Sequence, residues 1–148
     1  MPTFWDATTR DDICRRVKQL TPDTPARWGK FDAAAMTAHL NDGMRMAMGE
    51  LHCAPKKVPI RFFPLKQLIL YVLPFPKGAP TAPELLARCK DADLAAEQEQ
   101  FVVLAHRAAA KRSTDAWPDH PAFGSMSHQA WGRLIAKHTE HHLKQFSV

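Results

Sequence analysis

Cysteine is scarce in this chain. Cys14, Cys53 and Cys89 are odd in number, far apart and outside any CxxC spacing, which argues against a disulfide framework or a zinc knuckle. They read as reduced thiols of a cytoplasmic protein. Long apolar runs are missing too. The most hydrophobic stretch, LILYVLPFP from Leu68, ends in prolines and falls far short of the roughly 20 residues that span a bilayer. It reads as a core or interface segment. The first residues, MPTFWDATTRDD, lack a basic segment followed by an apolar one, so no secretory signal is expected. The formal charge is +5, yet Lys and Arg are scattered from Arg10 to Lys144 with acids between them. No basic run interleaved with aromatics marks a nucleic-acid surface. The chain holds no GxSxG, no Cys set beside a His in a familiar catalytic pattern and no glycine-rich phosphate loop. Covalent catalysis by its own side chains is therefore not expected.

What is present is an ordinary globular composition, 45% hydrophobic and 24% charged over 148 residues, enough for one domain, residues 1–148, around a single core. Almost nothing alternates with period two, whereas four segments carry apolar residues at helical spacing. The first helix is expected from about Thr9 to Leu20, where TPDTP stops it. The second runs from Ala33, capped by Asp32, to about Leu51 and places Met36, His39, Leu40, Gly43 and Ala47 on one face. The third spans about Asp91 to Lys111 with Leu94, Phe101, Leu104, Ala105 and Ala108 inward. The fourth spans His128 to Phe146 behind a Ser127 cap. Seven of the twelve prolines lie between Cys53 and Pro83, an excursion holding one short apolar helix, of the sort that shapes a pocket or a dimer surface. The expected fold is all-α, a four-helix bundle with a proline-rich insertion between the second and third long helices.

Three of the eight histidines fall within WGRLIAKHTEHHLKQF near the C-terminus. At about 100° per residue, Trp131, Leu134, Ile135, His142 and Gln145 all lie within about 60° of His138, so His138 and His142 share the buried face. His141 lies at its margin. Imidazoles at i and i+4 stand roughly 5 to 6 Å apart at Cβ, a spacing from which both reach one divalent ion. A catalytic centre takes a third protein ligand, and His39, on the apolar face of another long helix, is the best candidate. Imidazole donors suit Zn, Ni, Fe or Cu alike. The competing reading makes the pair a polar helix end and His39 a hydrogen-bonded core residue. His52, His106 and His128 read as surface residues, and His120 either pins its loop or lines a pocket mouth. The carboxylates Asp32, Asp42, Glu50, Glu97 and Glu140 read as helix-surface or capping groups; Glu97 alone is also a candidate hydrogen-bond partner of a metal ligand.

Taken together, WGKFDAAAMTAHL, PKGAPTAPEL and HPAFGSMSHQAWGRLIAKHTEHHLKQF resemble the DinB/YfiT-like superfamily of metal-binding four-helix bundles, and more closely a branch of it catalogued as a domain of unknown function. The resemblance covers most of the chain from about Arg27. It implies a divalent ion, most often nickel or zinc, on His39, His138 and His142, with Gln145 three residues after the last ligand. His141, Glu97, Trp131 and His120 are then candidates for the surrounding shell or pocket. Better-known members use the metal to activate a low-molecular-weight thiol such as mycothiol or bacillithiol. The expectation is a metal-dependent small-thiol transferase or hydrolase acting on a small-molecule substrate, cytoplasmic, homodimeric, with no nucleic-acid partner and no membrane span. Two rivals stand beside it. One is a non-enzymatic module binding a small ligand or partner helix in a pocket lined by Met36, Met44, Phe101 and Trp131. The other is a protein that lies on a membrane surface through Ile60 to Phe75.

Overall fold

The computed structural model describes residues 2–148. Their regular structure is helical; among the described residues no strand forms, and only an isolated antiparallel bridge joins His120 to Gly124. The order is α1 (Ala7–Lys18), α2 (Ala33–Ala47), α3 (Leu65–Gln67, continued without a break by a π-helical turn, Leu68–Val72), α4 (Leu94–Ala110) and α5 (His128–Gln145). Short 3-10 turns stand at Pro59–Arg61, Pro83–Leu85 and Cys89–Asp91.

Local chemistry sets the boundaries. The side chains of Asp32, Asp93 and Ser127 accept from the backbone N–H groups of Ala35, Ala96 and Ala130 at 2.7, 2.9 and 3.1 Å, satisfying donors that a helix start leaves unpaired. The third long helix therefore begins at Leu94 rather than Asp91, because Asp93 is the cap and Cys89–Asp91 forms its own turn. The second ends at Ala47, four residues short of expectation: Gly49, at φ +81°, donates its N–H to the Met46 carbonyl at 3.0 Å and turns the chain out of the helix.

α4 packs on α1 and α2, and α5 on the same two helices. Phe4, Ile13, Val17, Met36, Phe101, Leu104, Trp131 and Leu143 close the core between them at 1% exposure or less. Burial of this kind contributes roughly 1.5–3 kcal/mol per large side chain relative to leaving it in water. α2 departs from the one-faced helix its periodicity suggests. Thr37, Asn41 and Asp42 are buried as well, because the turns at Pro83–Leu85 and Cys89–Asp91 cover a second side of it.

The N-terminal segment docks on the start of α5. Phe4 donates its N–H to the Gly132 carbonyl at 3.0 Å, and the Trp5 indole donates to the His128 carbonyl at 2.9 Å. A Cβ on Gly132 would lie 2.2 Å from the Trp5 indole nitrogen, so only glycine admits this approach. His128 is not the free surface residue expected: its ring stacks on Trp5 at 4.5 Å with the planes 8° apart. Within the excursion, α3 turns Leu70 into the core. The Lys137 ammonium on α5 donates to the Ile69 carbonyl, and Lys66 reaches the Ser125 carbonyl.

Candidate metal centre

The register of α2 and α5 brings three imidazoles to one point. Nε2 of His138 lies 3.0 Å from Nε2 of His39 and 3.2 Å from Nε2 of His142, and the ligand nitrogens of the three all fall within 4.8 Å of one another. Two nitrogens each about 2.1 Å from a shared ion stand about 2.9–3.4 Å apart over octahedral to tetrahedral angles, so the two close pairs already have coordination spacing. His39 and His142 are buried; His138 is half-buried.

The far side of two rings fixes which nitrogen carries the proton. Nδ1 of His39 faces the Leu85 carbonyl at 3.2 Å. Nδ1 of His142 faces Oε1 of Gln145 at 2.7 Å, and Gln145 is oriented by donating its amide N–H to the Trp28 carbonyl at 2.6 Å. Both acceptors require a protonated Nδ1, so Nε2 of each ring presents a lone pair to the centre. His138 carries one proton at most on its own Nε2. It satisfies one of these neighbours and leaves the other lone pair facing a group that cannot donate to it. Three such imidazole donors are a set that can hold one divalent transition-metal ion.

The site also keeps its imidazoles neutral. Burial lowers His39, even against the Leu85 hydrogen bond and the Asp42 charge. Burial, followed by the charges of His142 and His39, holds His138 far below the usual histidine value. Burial pushes His142 down to about 3, with Gln145 opposing. Neutral imidazole is the ligating form. The ring of Phe31 lies 5.2 and 5.9 Å from those of His39 and His142, and Phe75 stands 6.2 Å from His138, so aromatic bodies shield the centre. His141 holds the margin expected of it, half-buried, its ring 5.2 Å from His142 and 5.7 Å from Trp28.

A sequence model of one protein family, described as a protein of unknown function (DUF1569), matches residues 5–148. The chain belongs to this family. No curated protein and no solved structure matches it.

Several residues of this DUF1569 chain sit elsewhere than their sequence context suggested. Glu97 is neither a solvated flank nor a partner of the histidines. It is buried, and receives Arg88 at 2.6 and 3.3 Å and the Asn41 amide at 2.6 Å. Burial disfavours its charge, but the hydrogen bonds from Arg88 and Asn41 outweigh that and hold the carboxyl below its ordinary value. Asp42, expected on the helix surface, is 3% exposed and takes Arg88 at 3.0 and 3.1 Å and Arg45 at 2.7 Å. Arg88 thus fastens the segment after the proline-rich excursion to α2 and α4. Asp42, Arg45, Glu50, Leu51, Glu84 and Arg88 line a cleft of about 320 Å³ beside this cluster.

Trp131 is closed core, its indole donating to the Pro118 carbonyl at 3.1 Å. His120 pins its loop: Nδ1 accepts from the N–H groups of Ala122 and Phe123 at 3.0 and 3.1 Å, and burial, aided by the charge of Lys66, pushes it down to about 4. It also lines a second cleft, of about 340 Å³, with Cys53, Arg61 and Pro118. Sequence reasoning missed Arg88, Phe31, Phe75 and the Leu85 carbonyl. Only Asp42 and Glu97 left a trace, as two carboxylates close to apolar stripes with no cation at helical spacing to answer Glu97.

Proposed function

We propose that this is a single-domain, DinB/YfiT-like four-helix bundle whose proline-rich insertion separates the second and third long helices, and that His39, His138 and His142 hold one divalent ion, nickel or zinc. The observation that carries this reading is the convergence of three imidazole nitrogens within 4.8 Å of one another, with the Leu85 carbonyl and the Gln145 Oε1 facing the far nitrogens of His39 and His142. A divalent ion bound there supplies Lewis acidity, which stabilises a thiolate or acidifies a water near neutral pH. The chain's own groups do the rest: Gln145 holds His142 in the ligating tautomer, Leu85 does so for His39, and Phe31 and Phe75 exclude bulk solvent. The reaction class would be transfer of a low-molecular-weight thiol, or hydrolysis, on a small-molecule substrate, with His39, His138 and His142 holding the ion that would supply the Lewis acidity.

Metal analysis of the purified chain tests the centre. Wild type is expected to carry about one equivalent, and His142→Ala much less, since three ligands are needed to retain a divalent ion. Equal content in the two proteins overturns the site. Incubating the loaded protein with mycothiol or bacillithiol and a chloro-nitroaromatic then tests transfer; a rate no higher than that of the metal-free chain removes it. The non-enzymatic alternative asks for an open pocket lined by Met36, Met44, Phe101 and Trp131. All four are at most 2% exposed within the core, and they line neither cleft above.

A further inference from the structure

The charge of the chain is far less even than its scatter from end to end suggests. Between Leu51 and Pro83 there is no Asp or Glu, while Lys56, Lys57, Arg61, Lys66 and Lys77 all fall there. The other 15 basic residues equal the 15 acidic ones, so the whole formal charge of +5 resides in this one excursion. Among the described residues, no carboxylate makes an ion pair with any of the five.

The same excursion carries most of the large apolar side chains left in solvent. Phe62 is 67% exposed, Phe63 81% and Val72 67%, joined by Leu65, Leu68 and Leu73. Leu65, Leu68 and Val72 follow one another at helical spacing, whereas Leu70 is buried and Ile69 and Tyr71 half-buried. α3 is therefore apolar on two sides, and only one side has the core to cover it. Six such side chains within twelve residues form a patch of the kind that marks an interaction surface.

We propose that residues 56–77 dock the chain peripherally on an anionic lipid surface, the apolar side chains entering the headgroup and acyl boundary and the positive charge of the excursion, with Lys57 and Lys77 exposed and Lys56, Arg61 and Lys66 half-buried, drawing it to the lipid phosphates. The charge distribution selects this occupant. A second copy docked symmetrically through the same face would set five cations against five, since a two-fold interface pairs a patch with itself. Nucleic acid answers the charge but not the aliphatic side chains Leu65, Leu68, Val72 and Leu73, which have no ring to stack on bases. Phe75, which follows the patch, packs on the His138 ring at 6.2 Å, so a docked chain holds the histidine cluster close to the lipid interface.

The test is co-sedimentation of the full chain with vesicles of phosphatidylcholine alone and of phosphatidylcholine carrying a third phosphatidylglycerol, at low and high salt. Binding to the anionic vesicles at low salt is expected, falling on the order of tenfold or more in neutral vesicles and in Lys56→Glu/Lys57→Glu. A loss of similar size is expected in Phe62→Ser/Phe63→Ser. Both Phe side chains are exposed, so that variant keeps its helical circular dichroism and its metal content, which separates failure of this proposal from failure of the metal reading. Absence of binding to anionic vesicles at low salt overturns the proposal. So does unchanged binding by Phe62→Ser/Phe63→Ser, or a wild-type dimer that this variant turns into a monomer while neither protein binds vesicles.

Discussion

α2 contributes to two buried polar clusters that solve opposite problems. At Asp42 and Asn41 it meets Arg88 and Glu97, where each charge has a counter-charge at hydrogen-bond distance: Arg88 donates to both carboxylates, and Arg45 and Asn41 take up further acceptor capacity. At His39, one turn earlier, it meets His138 and His142, where three neutral rings present their nitrogens to one another and no donor satisfies them all. Buried polar groups left in this way cost free energy comparable to a lost hydrogen bond. In the first cluster every charge is paired within the chain, with only the Asn41 Oδ1 left without a partner, and it fastens α2 to α4. The second gathers three ligand nitrogens of the kind that can hold a metal ion.

The two clusters separate most widely by pH. In chelator, the histidines should dominate between pH 7 and 4. The proton affinity of the three rings in the folded chain lies below the unfolded value of 6.5, down to about 3 for His142, and His120 in its separate loop, pushed down to about 4, adds to the same decline. In that window the unfolded chain binds more protons, so stability present above pH 6.5 is lost as pH falls, by on the order of 1 kcal/mol per pH unit per histidine. Glu97, held below its ordinary 4.5, contributes stability present above pH 4.5 and lost only below it. Urea titrations across this range should therefore show the main decline above pH 4.5, and about one equivalent of nickel or zinc should recover part of it. A flat profile from pH 7 to 5 in chelator would contradict the neutral, buried trio.

Breaking the charge-paired cluster comes next in size. Arg88→Met leaves the buried Glu97 with the Asn41 amide alone and Asp42 with Arg45 alone, and should cost about 3 kcal/mol. That is the low end for breaking a buried pair, because the Arg88 side chain is itself 43% exposed. Its metal content should stay at the wild-type level, since no histidine contacts it. A variant that loses metal in proportion to stability would join the two clusters into one. Smallest is Gln145→Ala, which leaves all three imidazoles in place but frees His142 to adopt the other tautomer. Metal affinity, read by competition with a chromophoric chelator, should fall about 10- to 100-fold, while the metal-free chain loses about 1–3 kcal/mol from the Trp28 carbonyl and the His142 ring left without partners. Unchanged affinity would mean that backbone packing alone orients the ring.

How much of this was legible depends on the length of chain that carries each signal. The i, i+4 pair His138 and His142 and the Gln145 that follows share one helix face by arithmetic alone, and their relation to each other follows from helical period. The long helices were readable for the same reason, within a few residues at their ends. Arg88 lies in irregular chain after a proline-rich stretch, where no period says which way a side chain points. Its partners, 46 residues before it and 9 after it, come from two different helices. Asp42 was misread because α2 is covered on a second side by turns whose position no local pattern records.

By itself the sequence determined an all-helical chain, the Asp32 and Ser127 caps that begin two of its long helices, the inward faces of those helices and a histidine pair on one of them. Each follows from backbone geometry acting over a few residues. Only the tertiary structure decided that His39 meets that pair, that Leu85 and Gln145 fix two of the tautomers, that Arg88 rather than water answers Asp42 and Glu97, and that Phe62 and Phe63 remain uncovered. Those outcomes depend on which segments pack against which, and packing is a property of the whole core rather than of any stretch within it.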